Sequence, residues 1–384
     1  MSALDSSVIR FEASLGSNYE IKFQDKNLGV IKRYWKQETL AEILPNERVS
    51  FCMRRVVPGK SGVKILHSQK HQKAHYGNLM VCGSIWLCPI CASKISERRK
   101  EELLTGFDNF EGVFVMVTYT LRHNSNERLK VILKKLDNAY KLTTHGRRWQ
   151  EFKKRYEVVG SVSNLEITHG QNGWHPHKHV VYLLKNVIEF SEFRRDIENI
   201  YLHSLQSSGG SGLAGIALRA DIVTNHKTMV AQYIAEYDKK PSKDLWGIEA
   251  ELTKSYVKSS ENFWSILDHF ILSGDLNSLG LILEYAEAVK GRRSVVFSRG
   301  LRNLLKITDK NDLEVAKENQ ENSIELLLIS RMVWKQVINN KMRGELLKIA
   351  SSGSVEAITE YLSSNLVQSG VLCLDDNKTL FYEN

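Results

Sequence analysis

The chain has 384 residues, of which 42% are hydrophobic and 25% are charged, and its Lys and Arg outnumber Asp and Glu by nine. This length predicts two or three domains, and the composition is that of a globular protein. No apolar run approaches the roughly 20 residues of a membrane-spanning helix, and the first residues lack a basic stretch followed by an apolar one. We therefore expect a cytoplasmic protein with no membrane contact. The pI of about 9.1 favours nucleic acid as its partner.

The basic residues are concentrated in three segments, and aromatic residues accompany them in two. These segments are ERRK at 97–100, RRWQEFKKRY at 147–156 and GRRSVVFSRGLR at 291–302. Such a cluster is typical of a surface that binds phosphates, and equally of the solvated face of a helix. The sequence alone leaves both interpretations open for each segment.

Four of the five cysteines lie within residues 51–105: Cys82, Cys88 and Cys91 are close together, and Cys52 is separated from them by a long gap. In a cytosolic chain, close spacing of cysteines favours a metal over a disulfide. Cys88 and Cys91 form a Cys-x-x-Cys pair, whose spacing lets two thiolates reach one Zn²⁺, and the other two would complete a tetrahedral set. We expect this structural zinc to fix the turn before the helix-like stretch 96–107, so that the basic residues of that stretch contact phosphates.

Other interpretations of the cysteine segment stay open. His67, His71 and His75 lie within reach along the sequence and are substitute ligands for the distant Cys52. The cysteines would also be consistent with reduced, buried side chains that bind no metal. A redox pair is disfavoured, because no thioredoxin-like βαβ pattern surrounds these residues.

The central part of the chain alternates strand-like and helical patterns. Residues 112–123 carry the β-branched and aromatic residues of a strand, and residues 126–156 repeat leucine at helical spacing. Two strand-like runs in 158–184 flank a polar GQNG linker and predict a β-hairpin. The series continues with helix 191–205, N-capped by Ser191, a Gly/Ser loop at 207–215, strand 216–223, and helix 227–240, which Pro241 would end. This order predicts an antiparallel sheet with helices on one side.

His177 and His179 lie two residues apart in the second strand of the predicted hairpin. Because strand side chains alternate between faces, both imidazoles point the same way and offer two nitrogen ligands to one divalent cation. If the hairpin closes around residues 169–175, Glu166 lies across from them and adds a carboxylate, and coordination positions stay open for a substrate. The other interpretation is a polar outer face that carries surface histidines. The direction of His175, at the turn, stays open.

Tyr233 and Tyr237 lie four residues apart on the predicted helix 227–240 and therefore share one face. A stripe of tyrosine and isoleucine is typical of core packing, but polar and charged residues surround both rings. A tyrosine hydroxyl can attack a phosphodiester and hold the DNA covalently. Its pKa is about 10, so it needs a metal that polarises the phosphate and a lysine that stabilises the developing charge.

Taken in order, the strand VFVMVTYTL, the segment WHPHKHVVYLL and the helix YIAEYDKK resemble the three motifs of the HUH endonuclease superfamily. More narrowly, the chain resembles the rolling-circle replication initiators of small plasmids. LCPICASKISERR resembles their upstream cysteine segment, and residues 284–305 resemble their C-terminal signature of an acidic aromatic turn, Lys-Gly-Arg-Arg and Ser-x-Gly-Leu. The paired tyrosines also resemble the motif of phage initiators. The resemblance covers about residues 50–305.

The resemblance implies a catalytic Mg²⁺ or Mn²⁺ held by His177 and His179, with Glu166 as the acidic ligand. It further implies catalytic roles for Tyr237, which would form a 5′-phosphotyrosine, for Tyr233 as second nucleophile, and for Lys240 of the Tyr-x-x-Lys motif. The implied partners are single-stranded and hairpin origin DNA, a host helicase, and a host polymerase that extends the free 3′-OH.

Two positions depart from the pattern of the plasmid initiators. The residue between the two histidines is usually bulky and hydrophobic, and here it is Lys178. We expect its stem to pack while the ammonium group reaches solvent or a phosphate. Many relatives have a carboxylate where Tyr233 stands, so termination here is expected to use the second tyrosine rather than activated water.

We therefore predict an α+β fold of the HUH endonuclease type, with a central antiparallel β-sheet and flanking helices. Residues 1–105 would form an N-terminal cysteine-rich, zinc-binding region, residues 106–245 the nicking and strand-transfer domain, and residues 246–384 a mostly helical C-terminal region. The metal site would lie in the middle of the sheet, with the tyrosine helix beside it.

Two alternatives stay open at this point. A non-enzymatic, zinc-stabilised DNA-binding regulator would use the cysteines and the basic segments but not the tyrosines. A transposase of the same superfamily would share the motifs. A conjugative relaxase is disfavoured, because its tyrosine often lies upstream of the histidines, whereas here Tyr233 and Tyr237 follow them.

Overall fold

The computed structural model describes residues 29–223, 234, 260–318, 323–366 and 371–383. The chain separates into two compact units. One contains residues 1–95, 271–274 and 311–384, and the other contains residues 96–270 and 275–310. No helix within the described ranges combines the length and the apolar character needed to cross a membrane. The division into 1–105, 106–245 and 246–384 stays a prediction.

The fold is a mixture of helices and sheets, as the α+β prediction requires, and the strand pairs of the described residues are antiparallel with one exception. The strands are β1 (Gly62–Ser68), β2 (Lys73–Gly77), β3 (Val113–Tyr119), β4 (Val158–Gly170), β5 (Gly173–Leu184), β6 (Leu218–Val223), β7 (Glu261–Asn262), β8 (Val295–Phe297), β9 (Ser323–Ser330), β10 (Val371–Leu374) and β11 (Thr379–Glu383). The helices are α1 (Gly29–Ile43), α2 (Pro89–Asp108), α3 (Leu129–Thr143), α4 (Gly146–Arg155), α5 (Phe190–Ser207), α6 (Phe263–Ser273), α7 (Leu276–Ala288), α8 (Leu301–Leu304), α9 (Asp312–Lys317), α10 (Arg331–Asn339), α11 (Arg343–Ala350) and α12 (Val355–Asn365).

The first unit contains a five-stranded sheet in the order β10-β11-β9-β1-β2. Its core holds an ion pair, because the fully buried Arg343 lies 2.9 Å from the carboxylate of Glu38 and also donates to the carbonyl of Met53. Three strands of this sheet, β9, β10 and β11, lie in the C-terminal part of the chain, where seven of the described helices also lie, and the expectation that residues 246–384 are mostly helical stays a prediction. The continuous apolar run of β9 fits a buried strand or a buried helix equally well, and periodicity cannot separate the two.

The second unit contains the sheet β6-β3-β5-β4-β7, and β8 also pairs with β4. All of these pairings are antiparallel. The predicted hairpin is confirmed: β4 and β5 meet through a two-residue loop, Gln171 and Asn172, with Gly170 opposite Gly173. Gly173 has a φ of 81°, a conformation that glycine adopts without steric cost.

Side chains from the two faces of this sheet have different surroundings. Tyr182 of β5 packs on one face against Trp149 of α4 and Phe193 of α5. On the other face, Val181 and Leu183 join an apolar cluster with α2 and α8. The expectation that helices cover one side only is therefore wrong, because α2 and α8 cover one end of the second face.

Two predicted helices differ in detail from the structure. The helical stretch 126–156 consists of α3 and α4, which are separated at Thr144 and His145. Ser191 is not the N-cap of α5: the helix begins one residue earlier, and the Glu189 side chain accepts the hydrogen bond from the Ser191 N–H. The N-cap role that the sequence pattern assigned to Ser191 therefore belongs to Glu189, whose carboxylate satisfies a free N–H of the first turn.

Glu284 of α7 connects two elements that support the hairpin. One of its carboxylate oxygens accepts from the Leu129 N–H at the start of α3, at 2.8 Å, and the other accepts from the Trp174 indole at 3.1 Å. Because α3 has no side-chain cap of its own, this carboxylate satisfies a free N–H and lies at the positive end of the helix dipole. The acidic residue of the C-terminal signature is thus a structural link to the base of β5.

We expect Glu284→Ala to lower the free energy of unfolding by about 1–3 kcal/mol, because it leaves the indole N–H and the helix amide without their acceptor. Glu287→Ala is the matched control one turn along the same helix, since Glu287 forms exposed ion pairs with Arg128 and Lys130. Urea unfolding measures both variants. Equal stability of the two would contradict this role of Glu284.

Candidate functional site

The pairing of β4 with β5 brings three candidate metal ligands together. Glu166 lies directly opposite His177 in the register, and Asn164 lies opposite His179. The Glu166 Oε2 atom is 2.9 Å from His179 Nε2 and 3.9 Å from His177 Nδ1. One ligand atom from each residue lies within 4.8 Å of the others. We call these three residues the triad, and they lie on interior strands of the sheet.

The donor set and spacing of the triad fit a divalent cation. Two imidazole nitrogens and one carboxylate oxygen form a three-ligand set that leaves further coordination positions open. The Glu166 side chain is 39% exposed whereas that of His179 is 4% exposed, so the set is reached from solvent on the carboxylate side. A mixed set of nitrogen and oxygen ligands suits several divalent metals.

Thr118 of β3 orients one of the two histidines. It lies opposite His179 in the register, and its hydroxyl oxygen is 2.9 Å from His179 Nδ1. With His179 Nε2 as a ligand, the Nδ1–H donates to the Thr118 oxygen and fixes the tautomer and the ring plane. No sequence pattern indicates this residue, because only the strand register shows that Thr118 lies opposite His179.

The histidine side of the triad extends to the hairpin turn. The ring of His175 lies 4.3 Å from that of His177, and its Nδ1 is 2.5 Å from the Nε2 of His123. His175 therefore shares the face of the triad, which settles the direction that the sequence left open. His123 follows β3 and was missed, because its only signal was a histidine just after a strand.

Lys178 has a different environment from the one expected. It lies on the opposite face, where its Nζ is 3.8 Å from Asp137 and 5.1 Å from the ring centre of Tyr140. The side chain is 13% exposed, and burial lowers the pKa of the ammonium group. The expectation that this group reaches solvent or a phosphate is therefore wrong, because strand alternation turns it away from the triad and into the helical layer.

The four cysteines Cys52, Cys82, Cys88 and Cys91 meet in the first unit, and all are buried. The closest sulfur pairs are Cys52 and Cys91 at 3.5 Å, Cys82 and Cys91 at 3.6 Å, and Cys52 and Cys88 at 3.6 Å. A tetrahedron with Zn–S bonds of about 2.3 Å has an edge of about 3.8 Å, so the spacing fits a zinc ion. The assembled set contains no histidine, and the substitute ligands are not needed.

The helix after the cysteines does not present its arginines as expected. In α2, Arg99 is buried, lies 2.6 Å from the Glu102 carboxylate and donates to the carbonyl of Lys310. Arg98 lies 3.1 Å from Glu101 on the exposed side. Arg99 is therefore not available to a phosphate, because it is buried and its charge is paired with that of Glu102.

The C-terminal signature is largely a structural element. Arg292 lies 2.5 Å from the Asp137 carboxylate and also donates to the carbonyl of Ala288. Ser298 bonds to Ser161 of β4 through both its backbone and its hydroxyl group. Arg293, by contrast, is exposed. Arg292 thus has a structural role, whereas Arg293 lies on the surface.

The predicted catalytic tyrosines, Tyr233 and Tyr237, and Lys240 lie outside the described residues. Ile234 is described and is fully buried in the apolar cluster that contains Val181 and Leu183. That cluster lies on the same face of the sheet as the triad, because Val181 and His179 are two residues apart on β5. A residue of the predicted tyrosine helix is therefore anchored on the triad face.

Comparisons with known proteins give two kinds of match. A family model described as replication protein matches residues 77–340. The chain is 32% identical to "Protein rep" of Streptomyces lividans over 136 residues, which is 28% of this chain and 30% of that protein. It is 28% identical to a neomycin resistance protein of Streptomyces cyanogenus over 134 residues, which is 28% of this chain and 31% of that protein. The chain thus spans less than a third of the length of these curated relatives. No solved structure matches it.

Thr118→Val should lower the affinity of the chain for Mn²⁺ by about 10–100-fold, because loss of an outer hydrogen bond frees the ring of His179. Thr120→Val is the control: its hydroxyl donates only to the Pro176 carbonyl, at 3.5 Å. Mn²⁺ titration followed by electron paramagnetic resonance measures both affinities. An unchanged affinity in Thr118→Val would mean that Thr118 does not orient the ligand.

Elemental analysis tests the cysteine cluster. We expect about one zinc per chain, retained through mild chelation, and a loss of zinc in the Cys88→Ser/Cys91→Ser variant because two of four thiolates are gone. Cys373→Ser should keep its zinc, since Cys373 lies outside the cluster. Folded wild-type protein without zinc would show that these cysteines only pack.

Proposed function

The chain belongs to the replication protein family, and from that premise we propose that it initiates rolling-circle replication by nicking one strand of a plasmid or phage origin. This membership confirms the resemblance to replication initiators that the sequence motifs of the chain indicate. The observation that carries the proposal is the triad. The Glu166 carboxylate and the imidazoles of His177 and His179 converge on one face of the sheet of the second unit. Such a set is suited to hold a divalent cation that acts on a phosphate.

Each residue of the triad has a defined part in the proposed reaction. His177 and His179 would hold a divalent cation through ring nitrogens, and Glu166 would add a carboxylate oxygen from the exposed side. These residues would thereby place a Lewis acid beside the scissile phosphate, where it would polarise that phosphate and offset charge on its oxygens. Thr118 keeps the His179 ring in the ligating orientation, and the rigid pairing of β4 with β5 keeps the three ligands at fixed spacing.

The nucleophile in this proposal is the hydroxyl group of Tyr237. A bond forms between its oxygen and phosphorus, the bond from phosphorus to the 3′ oxygen breaks, and the tyrosine proton is exchanged for one on the departing 3′-OH. The product is a 5′-phosphotyrosine and a free 3′ end for a host polymerase, with a host helicase opening the duplex. Lys240 would stabilise charge on the phosphate. Tyr233 would accept the second transfer at termination.

Exposed arginines of the second unit, one of which lies on the triad face, support approach of DNA. Arg219 of β6 lies opposite Thr118, so it shares the triad face, and its side chain is 49% exposed beside Asp221 at 3.0 Å. Arg293 and Arg299 are exposed on either side of β8. Phosphate contacts of this kind position a strand without reading its sequence. The cluster 147–156 lies on the other face, where Trp149 packs on Tyr182.

The proposed zinc site has a structural role in this account. The Cys cluster lies in the first unit and includes the first turn of α2, so a bound zinc would fix the start of that helix. A non-enzymatic regulator would need the cluster but not the triad. The two functions therefore differ in whether DNA is cut and whether a divalent cation is required.

The experiment that tests the proposal compares nicking with DNA binding. Wild-type protein should cut a single-stranded origin oligonucleotide in Mn²⁺ or Mg²⁺, and His177→Ala/His179→Ala should reduce cutting to background because the cation loses two ligands. Binding of double-stranded origin DNA by the variant should stay within about twofold of wild type, since the basic surface is intact.

Lys178→Met serves as the matched control, because it changes the residue between the two histidines on the opposite face and leaves Asp137 paired with Arg292. It should keep most of the nicking activity. Full cutting by the double alanine variant would refute the role of the histidines. A wild-type protein that shifts DNA and never cuts it, with or without divalent cation, would identify a regulator instead.

A further inference from the structure

Asn164 is a buried polar residue beside the triad. It lies opposite His179 in the register and two residues from Glu166 on β4, so its side chain is on the triad face. The residue is 5% exposed, and its Oδ1 atom is buried with no hydrogen-bond partner in the part of the chain that the structure describes. Native proteins nearly always satisfy buried carboxamide oxygens, because an unpaired one loses its hydration without compensation.

The surroundings of Asn164 point to a ligand rather than to packing. Toward one end of β4, the next residue on this face is Val162, which belongs to the apolar cluster with Val181. Toward the other end, the next residue is Glu166 of the triad. Directly opposed side chains on neighbouring strands have Cβ atoms about 4.5–5.5 Å apart, so Asn164 and His179 are neighbours across the strand pair. The oxygen therefore lies where the apolar core ends and the triad begins.

We propose that Asn164 is the fourth donor of the cation centre, with its side-chain oxygen as a neutral ligand. The inference rests on the proposed function, since it requires the divalent cation. Carboxamide oxygens are ligands of hard divalent cations. A neutral donor also leaves the centre with a net positive charge, because a divalent cation with one carboxylate is not fully compensated. That charge attracts the scissile phosphate, whereas a second carboxylate would cancel it.

Two measurements on Asn164→Leu test the proposal, and they should move in different directions. The affinity for Mn²⁺, followed by electron paramagnetic resonance, should fall by about 10-fold or more. The thermal midpoint without added Mn²⁺ should stay unchanged or rise, because an apolar side chain of similar shape replaces an unpaired polar atom. An asparagine with a purely structural role would give the opposite pattern, a lower midpoint with unchanged affinity.

Asn164→Asp decides the question if the leucine variant does not fold. A carboxylate at this position should raise the affinity for Mn²⁺ by at least about 10-fold, because it adds a charged ligand. Asn138→Asp, an exposed change on α3, should leave it unchanged. An unchanged Mn²⁺ affinity in the Asn164 variant would overturn the proposal.

The wild-type chain and His177→Ala/His179→Ala separate this inference from the proposed function. If the wild type binds Mn²⁺ and the double variant does not, the cation centre is present and the Asn164 variants decide the role of the fourth donor. If the wild type binds no Mn²⁺, or the double variant binds it equally well, the cation centre itself is absent. That result would overturn both proposals.

Discussion

The register of β4 against β5 is the constraint on which the candidate site depends. A two-residue loop closes the hairpin and sets the register of the two strands. That register pairs Glu166 with His177 and Asn164 with His179. Because strand side chains alternate, a slip of one residue would turn both histidines to the other face and replace them with Lys178 and its neighbours. The length of the two strands, 13 and 12 residues, makes such a slip costly, since it would also expose their buried apolar residues.

One face of this sheet packs against helices, and the other face carries the triad. The face of Tyr182 packs against α4 and α5 and includes a hydroxyl pair between Tyr119 and Tyr182 at 2.7 Å. The opposite face is apolar at one end and polar at the triad. Polar residues that a packing argument would exclude, such as the buried Asn164, lie at the transition. Departures of this kind are expected where function rather than stability selects the residue.

The sequence predicted those elements whose pattern is local. The strand within 112–123, the hairpin at 158–184 and the helical stretches on either side follow from period and turn chemistry. The structure confirms the hairpin and a strand at Val113–Tyr119, and it divides the first helical stretch into α3 and α4. Convergence of Glu166 with the histidines also followed, because a tight hairpin leaves few registers. The sequence could not predict β9, because an apolar run fits a strand and a helix, and it could not indicate that β9 pairs with the distant β1.

Residues that depend on pairing across the sheet were missed for the same reason. Thr118 and Asn164 are candidate site residues because each lies opposite His179 on a neighbouring strand, and no local spacing in the sequence indicates that pairing. The arginine clusters show a related limit. Composition marks Arg292 and Arg293 alike, yet one is tied to Asp137 and the other is exposed. Charge in a sequence identifies candidates for phosphate contact, and only the fold shows which charges are already paired.

The most direct test of the central claim is to locate the covalent bond between the protein and DNA. Wild-type chain would be incubated with single-stranded origin DNA and Mn²⁺, digested, and analysed by peptide mass spectrometry, with Tyr237→Phe and Tyr233→Phe in parallel. We expect a 5′-phosphotyrosine on Tyr237 that is absent in Tyr237→Phe and in His177→Ala/His179→Ala. A cut strand with no adduct, or an adduct on neither Tyr233 nor Tyr237, would contradict it.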